Sequence, residues 1–366
     1  MSEWKDDQLS SVLEIKYGKD HKSLEDGDIP CIGSGGIMRY VNDSLYDKVS
    51  ILIPRKGSLN NIMYQDNPFW TVDTMFWSII NEEKVNPKFL FYQLTLIDYT
   101  NLNVGSAVPS LTVSVINEID ISLPEKDEQN EIAEVLSSLD DKIDLLHRQN
   151  QTLEQMAETL FRQWFVEEAD EGWEETTLFD AIELVGGGTP KTSIEEYWNG
   201  NIKWLSGGDI ASNHKSIITS SEKTITEEGL NNSSAKLLPK FSTVISARGT
   251  VGKYCIISEP MAYSQSNYGI KPKYQDCYFF TYLLINHSVE ELNSAAYGSV
   301  FDTITTNTFK GLEIALPSEK EIKAFEAKVE NYFFKILNNQ THIRTLTALR
   351  DALLPKLMSG EVRVVS

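Results

Sequence analysis

Residues 123–168 read LPEKDEQNEIAEVLSSLDDKIDLLHRQNQTLEQMAETLFRQWFVEE. Their apolar positions run Ile132, Leu136, Leu139, Ile143, Leu146 and then, past Asn150, Leu153, Ala157, Leu160 and Trp164, in alternating steps of four and three. That is a coiled-coil seam carrying one Asn. Pro124 supplies a rigid start, and Glu125, Asp127 and Glu128 suit the positive end of a helix macrodipole. About 40 residues at 1.5 Å each make a rod of roughly 60 Å, too thin to be a core and in need of a second helix.

The second helix is in the same chain. Residues 316–358 read LPSEKEIKAFEAKVENYFFKILNNQTHIRTLTALRDALLPKLM, and the offset of 193 that places Pro124 over Pro317 holds without a gap. Ile132 lies over Phe325, Leu136 over Val329, Leu153 over Leu346 and Leu160 over Leu353. An internal repeat of that length is a whole domain plus its helix rather than a solenoid unit. The distal seam runs Phe325, Val329, Tyr332, Ile336, Asn339, Ile343, Leu346, Arg350, Leu353 and Leu357. A buried Asn needs a hydrogen-bonding partner, and the nearest at hand is the other seam Asn. Setting Asn150 opposite Asn339 in an antiparallel pair predicts Ile132 against Leu357, Leu160 against Val329 and Trp164 against Phe325. It also puts Leu139 against Arg350, whose stem is expected to cover the leucine while its head reaches water.

The chain of 366 residues has room for two domains, and its 41% hydrophobic composition is ordinary for folded protein. No apolar run approaches membrane length, and MSEWKDDQLSS has neither the basic nor the apolar region of a signal peptide, so neither a span nor a signal peptide is expected. Cys31, Cys255 and Cys277 are odd in number and scattered, as expected of reduced core thiols in the cytoplasm, and no metal site is predicted. The net charge of −20 is unusual for a nucleic-acid binder, but its distribution is uneven. Residues 124–170 hold 13 acidic and 4 basic residues, whereas 317–366 hold 6 and 8, so the two helices have complementary flanks. From Lys236 to Lys273 the charges are basic except for Glu259.

Residues 1–122 form the first predicted unit. It opens with an amphipathic turn at Leu9, Val12 and Leu13, then the glycine loop Gly33-Ser34-Gly35-Gly36 and a strand from Val49 to Ile53. A second strand runs from Met75 to Ile80, a helix starts at Pro87, and Gly105 to Leu111 precede a last strand from Ile119. Residues 171–315 are expected to retell this. Trp173, Leu178, Ile182 and Val185 replay the opening as a helix, and Gly186-Gly187-Gly188-Thr189-Pro190 replaces the first glycine loop. Val244 to Thr250 match Ile51 to Gly57, with Arg248 over Arg55, and Tyr278 to Asn286 form the short helix. Phe301-Asp302-Thr303-Ile304 precede the final strand, and an extra stretch falls near Glu195 to Ile210.

These motifs carry a specific resemblance. The G-G-T-P loop, the run I-S-A-R-G-T-V-G-K at 245–253, the closing L-P, the helix E-I-A…L-x-x-L-D-x-K-I from Glu131 and the ending Leu353 to Gly360 together resemble the DNA specificity subunit of Type I restriction-modification systems. The resemblance covers the whole chain. The first domain departs from the pattern, with Gly33 to Gly36 in place of G-G-T-P and Arg55-Lys56-Gly57 in place of R-G. It implies an α+β chain of two α/β target-recognition domains separated by two long helices that form an antiparallel coiled coil, with an internal pseudo-twofold repeat. The domains would be 1–122 and 171–315, the helical spacers 123–170 and 316–366. It further implies a non-catalytic subunit without cofactor that reads a two-part sequence in double-stranded DNA. Its partners would be modification methyltransferase subunits, which methylate adenine, and restriction endonuclease subunits, with no membrane. Lengthening the helix between Leu139 and Leu153 by a heptad is expected to change the spacer between half-sites and neither half-site.

The chemistry of the residues points the same way. Arginine can bond guanine bidentately, Asn and Gln can do so with adenine, and Lys and backbone N–H groups hold phosphates. In the second unit Arg248, Lys253, Gln265 and Asn267 have the required types, beside Gly187, Gly188, Thr189, Lys191 and Thr250. The glycines would admit a phosphate; the plainer readings are a simple turn for them, a surface ion pair for Arg248, and core packing for Tyr263 and Tyr268. In the first unit the corresponding candidates are Lys19, His21, Arg39, Arg55, Lys56, Asn60 and Asn61. Catalysis finds little support: Glu14-Ile15-Lys16 lacks a partner Asp, Asp66-Asn67-Pro68-Phe69 lacks a cofactor loop, and Gly249 to Lys253 is too short for a phosphate-binding loop. The rival is a coiled-coil protein-interaction scaffold without specific DNA readout, told apart by salt-sensitive duplex binding.

Overall fold

The computed structural model describes residues 4–105, 108–297 and 302–364; Ser106 and Ala107, within the stretch from Gly105 to Leu111 given above, and Phe301 lie outside them. The chain divides into two compact units, residues 1–144 with 344–366, and residues 145–343.

In the first unit the strand Lys5–Gln8 pairs antiparallel with Asp120–Leu123, which feeds the central helix. A four-stranded sheet runs in the order Leu13–Tyr17, Met75–Ile80, Ser50–Pro54, Met63–Gln65, and a three-stranded one in the order Gly36–Val41, Ile29–Gly33, Trp70–Thr71. Every residue of Ser50–Pro54 is buried, which is why the stretch reads as a continuous apolar run rather than an alternating one. The helix Pro87–Thr95 is capped by Asn86, whose side chain accepts from the N–H groups of Lys88 and Phe89, and starts on a proline.

The second unit repeats this connectivity. Glu174–Thr177 pairs with Glu313–Leu316. The larger sheet runs Ile182–Gly186, Asn267–Pro272, Thr243–Ser246, Tyr254–Ile257 and adds Ile217–Ile218; the smaller runs Lys223–Ile225, Trp198–Leu205, Ala262–Tyr263. Three sequence expectations need correction. The openings of both units are strands around a tight turn, not helices: Leu178 is buried in the turn, and Ile182 and Val185, although spaced like helix positions, belong to a strand. The surplus of the second copy falls mostly between Leu205 and Ala262, as the helices Gly207–Ser212 and Glu227–Asn231 and the strand Ile217–Ile218. The helix expected at Tyr278 to Asn286 continues to Tyr297, and Glu326 of the distal helix caps it by accepting the N–H groups of Phe279 (2.9 Å) and Phe280 (2.7 Å).

The long helices are Lys126–Arg162 and Glu319–Met358. In the second unit Asn339 Nδ2 donates to Asn150 Oδ1 at 2.9 Å, and the Trp164 and Phe325 rings lie 5.7 Å apart. In the first unit Arg350 does not send its head into water: Nη1 donates to Asp140 Oδ1 at 2.8 Å, and Tyr92 donates to the other oxygen of the same carboxylate. Asp140 holds the arginine above its ordinary range, in the direction expected of a charge-assisted pair. Each helix also buries residues off its seam. Ala133 and Met358 enter the core of the first unit; Phe161, Ile322 and Phe333 enter that of the second. Within each unit the long helices therefore form part of the wall of the core.

Candidate nucleic-acid interface

In the second unit four loops converge at one edge of the sheets, those following Ile182–Gly186, Trp198–Leu205, Thr243–Ser246 and Ala262–Tyr263. Backbone bonds hold them together: Gly188 N–H donates to Tyr263 O (3.0 Å), Ser264 N–H to Leu205 O (2.9 Å), and Ala247 N–H to Ser266 O (2.9 Å). Thr250 Oγ1 donates to Gly207 O at 3.2 Å and lies 2.9 Å from Ser246 Oγ, whose hydroxyl in turn reaches the Arg248 carbonyl. Gly249 takes φ +78°, a conformation that glycine adopts freely, so the turn can present Arg248 outward.

Arg248 is exposed, and its guanidinium makes no ion pair or hydrogen bond among the described residues. Lys191, Lys253 and Gln265 are exposed around it, and Thr189 Oγ1 accepts from Gln265 N–H at 3.5 Å. His214 accepts the Tyr254 N–H, and burial and then the Lys253 ammonium push its imidazole below the ordinary range. Four candidates are placed otherwise than expected. Asn267 is 1% exposed and donates to Ser264 Oγ, so it faces the interior. A Cβ on Gly187 would lie 2.2 Å from Ser264 O, and one on Gly188 2.2 Å from Ser234 C, so these glycines make room for the chain's own backbone rather than for a phosphate. The Thr250 hydroxyl is engaged inside the turn.

The first unit builds the same edge from different residues. Lys19 N–H donates to Thr71 O just as Gly188 N–H does to Tyr263 O, and a Cβ on Gly18 would meet Val72 O as one on Gly187 meets Ser264 O. The counterpart of Gly187 to Pro190 is therefore Gly18 to His21, and Gly33 to Gly36 correspond instead to the loop at Ser206. Arg55 N–H donates to Thr74 O as Ala247 N–H does to Ser266 O, and Gly57 and Gly249 both have positive φ, so Lys56, not Arg55, stands where Arg248 does. Lys19 and Lys56 are exposed. Arg55 is half-buried, with Nη1 on Asp73 O and its guanidinium 5.3 Å from the Tyr17 ring centroid. Arg39 is held by Leu24 O and Asp26, and Asn60 by Tyr99 N–H and Asp98, so both serve their own fold. His21 is half-buried and its Nδ1 has no hydrogen-bond partner. It lines a groove of about 750 Å³ with Ser34, Ile37, Met38 and Asp73. The sequence reading passed over Ile37, Met38 and the Ser206-Gly207-Gly208 turn; the only signal for the turn was the S-x-x-D spacing to Asp209, which forms a capping box.

No group of three or more His, Cys, Asp or Glu side chains able to hold a metal occurs among the described residues, and no described helix is long and apolar enough to cross a membrane. The sequence model of the Type I restriction modification DNA specificity domain matches residues 1–155 and 170–352. The chain belongs to that family. Among relatives, the Type I restriction enzyme MjaIX specificity subunit of Methanocaldococcus jannaschii is 26% identical over 345 positions, covering 87% of this chain and 79% of the relative. The HindI specificity subunit of Haemophilus influenzae is 25% identical over 439 positions, covering 97% and 90%. The crystal structure of the S subunit of a Type-I restriction-modification system from M. genitalium superposes with a TM-score of 0.69 at 16% identity over 97% of this chain and 96% of that one, so the fold is shared. Each of the two segments matched by the family contains one set of four loops and most of one long helix.

Proposed function

We propose that this chain is the sequence-specific DNA-binding specificity subunit of a Type I restriction-modification complex. Residues 1–122 and 171–315 act as target-recognition domains, each reading one half of a bipartite target in duplex DNA. Residues 123–170 and 316–366 pair as an antiparallel coiled coil, a reading supported by the bonds Asn339 to Asn150 and Arg350 to Asp140. The helices dock modification methyltransferase subunits, and restriction endonuclease subunits are added around these. The chain itself contributes recognition and no catalytic group, and it works in the cytoplasm, where its three buried, unpaired cysteines stay reduced.

The observation that carries this reading is the family match to both halves of the chain, each with its own converging loops. Within them Arg248 and Gln265 have the chemistry to read base edges, Lys19, Lys56, Lys191 and Lys253 to hold phosphates, and His21 and Thr189 to line the two faces. Four phosphate contacts predict that log Kobs falls against log salt with a slope of about −4. The test is binding of the full chain, assembled with modification subunits, to a random duplex library between low and physiological salt. Enrichment of a two-part sequence with that slope is expected. Salt-independent binding with no enrichment would leave the chain a protein-interaction scaffold.

A further inference from the structure

The hairpin formed by Ile29–Gly33 and Gly36–Val41 in the first unit is irregular. Cys31 pairs with Arg39 and Ile32 with Ile37, so Met38 is an extra residue with no partner across the ladder. A bulge of this kind turns consecutive side chains toward one side. Ile37 and Met38, adjacent in sequence, both line the groove beside Ser34 and His21, and they are 57% and 58% exposed. The tip is held in place: Asn61 Nδ2 donates to Ser34 O at 2.8 Å, Val72 N–H to Ile32 O at 3.2 Å, and the Met38 sulfur fills the space where a Cβ on Gly33 would be. Two large apolar side chains fixed at an exposed edge strand expose surface that most soluble domains cover or replace with charge.

The surroundings decide what covers them. The groove lies among the loops that carry Lys19 and Lys56, with exposed Lys22 on its wall beside Asp20, whose carboxylate accepts the Lys22 N–H, and Asp73, whose backbone carbonyl accepts from Arg55. In the second unit the loop in the same place is the polar, self-capped turn Ser206 to Asp209. We propose that Ile37 and Met38 form an apolar wedge that enters a base-pair step of the half-site read by the first unit, unstacking it and adding specificity through the deformability of that step. Ile and Met are among the side chains that perform this insertion, and the energy lost in unstacking depends on the step, so it discriminates sequence without hydrogen bonds. The inference rests on the proposed reading of duplex DNA and adds how one half-site is read.

The experiment uses the full chain assembled with modification subunits. Wild type, I37S/M38S and I37L/M38L select from a random duplex library, and 2-aminopurine is then placed at each position of the wild-type duplex. Beside the adenines flipped out by the modification subunits, which should brighten the probe alike in all three proteins, wild type and the leucine variant are expected to brighten it at one further step of one half-site. The serine variant should lose that signal, bind the selected duplex about tenfold or more weakly, and relax its preference in that half alone. A serine variant that selects the same sequence with the same fluorescence overturns the wedge while leaving the DNA reading intact. One that selects the same DNA but no longer holds the modification subunits makes the tip a protein-docking surface and also overturns it. Wild type that enriches no sequence overturns the DNA reading and the wedge with it.

Discussion

Arg248 and Lys253 occupy one turn and are expected to behave differently when removed. Arg248 precedes a glycine of positive φ and its guanidinium has no partner among the described residues, which suits a base-reading arginine. Arg248→Ala should relax specificity at one base pair by about 1–3 kcal/mol, whereas Lys253→Ala should weaken binding to all sequences and flatten the salt slope. Equal losses for Arg248→Ala on selected and random duplexes would reduce it to a phosphate contact. A second residue carries a pH signature. Burial pushes the Glu326 carboxyl up to about 7 against the pull of two helix N–H donors. Between its unfolded value of 4.5 and about 7 the unfolded chain ionises while the folded one keeps the proton, so stability falls as pH rises through that window, by roughly 3 kcal/mol. Urea unfolding of wild type and Glu326→Gln at pH 4.5 and pH 7.5 should show the wild type losing ground at the higher pH; a difference constant with pH would remove Glu326 as the cause.

At the scale of elements, the seam and its Asn were legible because a four-three pattern over tens of residues has few alternatives. Asn150 is 7% and Asn339 0% exposed, and Asn339 Oδ1 has no hydrogen-bond partner, so the pair is joined by one bond rather than two. Asn150→Leu or Asn339→Leu alone should cost about 1–3 kcal/mol by taking a partner from a buried amide, Asn339 Nδ2 keeping only Gln149 Oε1 at 3.3 Å in the first case, while the double Leu variant should cost less than the sum. Additive losses in the double-mutant cycle would mean that the two amides do not depend on each other. The opening strands were misread because Leu9 and Leu178 sit in tight turns, where apolar spacing mimics a helix. The loop correspondence was misread because Gly18 to His21 shares no motif with Gly187 to Pro190; their kinship lies in backbone bonds, Lys19 to Thr71 and Gly188 to Tyr263, which side-chain identities do not record. For the same reason Arg39 and Asn60, chosen for their chemistry, prove to be engaged by Leu24 and Tyr99, contacts that depend on folding and not on local sequence.

For the whole molecule, the repeated connectivity implies that recognition factorises. The strands Glu174–Thr177 and Glu313–Leu316 pair antiparallel, so the segment between them enters and leaves through neighbouring strands, the geometry in which a segment can be exchanged without moving its ends. Lys5–Gln8 and Asp120–Leu123 do the same for the first segment. Exchanging the segment between the paired strands for that of another family member should change one half of the target and leave the other unaltered, as read by methylation-sensitive sequencing of DNA from cells carrying the chimera with its methyltransferase. The graft has one packing requirement. Phe280 lies 5.8 Å from the Phe161 ring and 6.3 Å from that of Phe325, so an incoming segment with a small residue there leaves a cavity between two helices that remain behind, at a cost of about 3–5 kcal/mol. A chimera that keeps an aromatic at that place should therefore fold and recode one half-site. If both halves changed together, or neither did, the two units would not be independent readers.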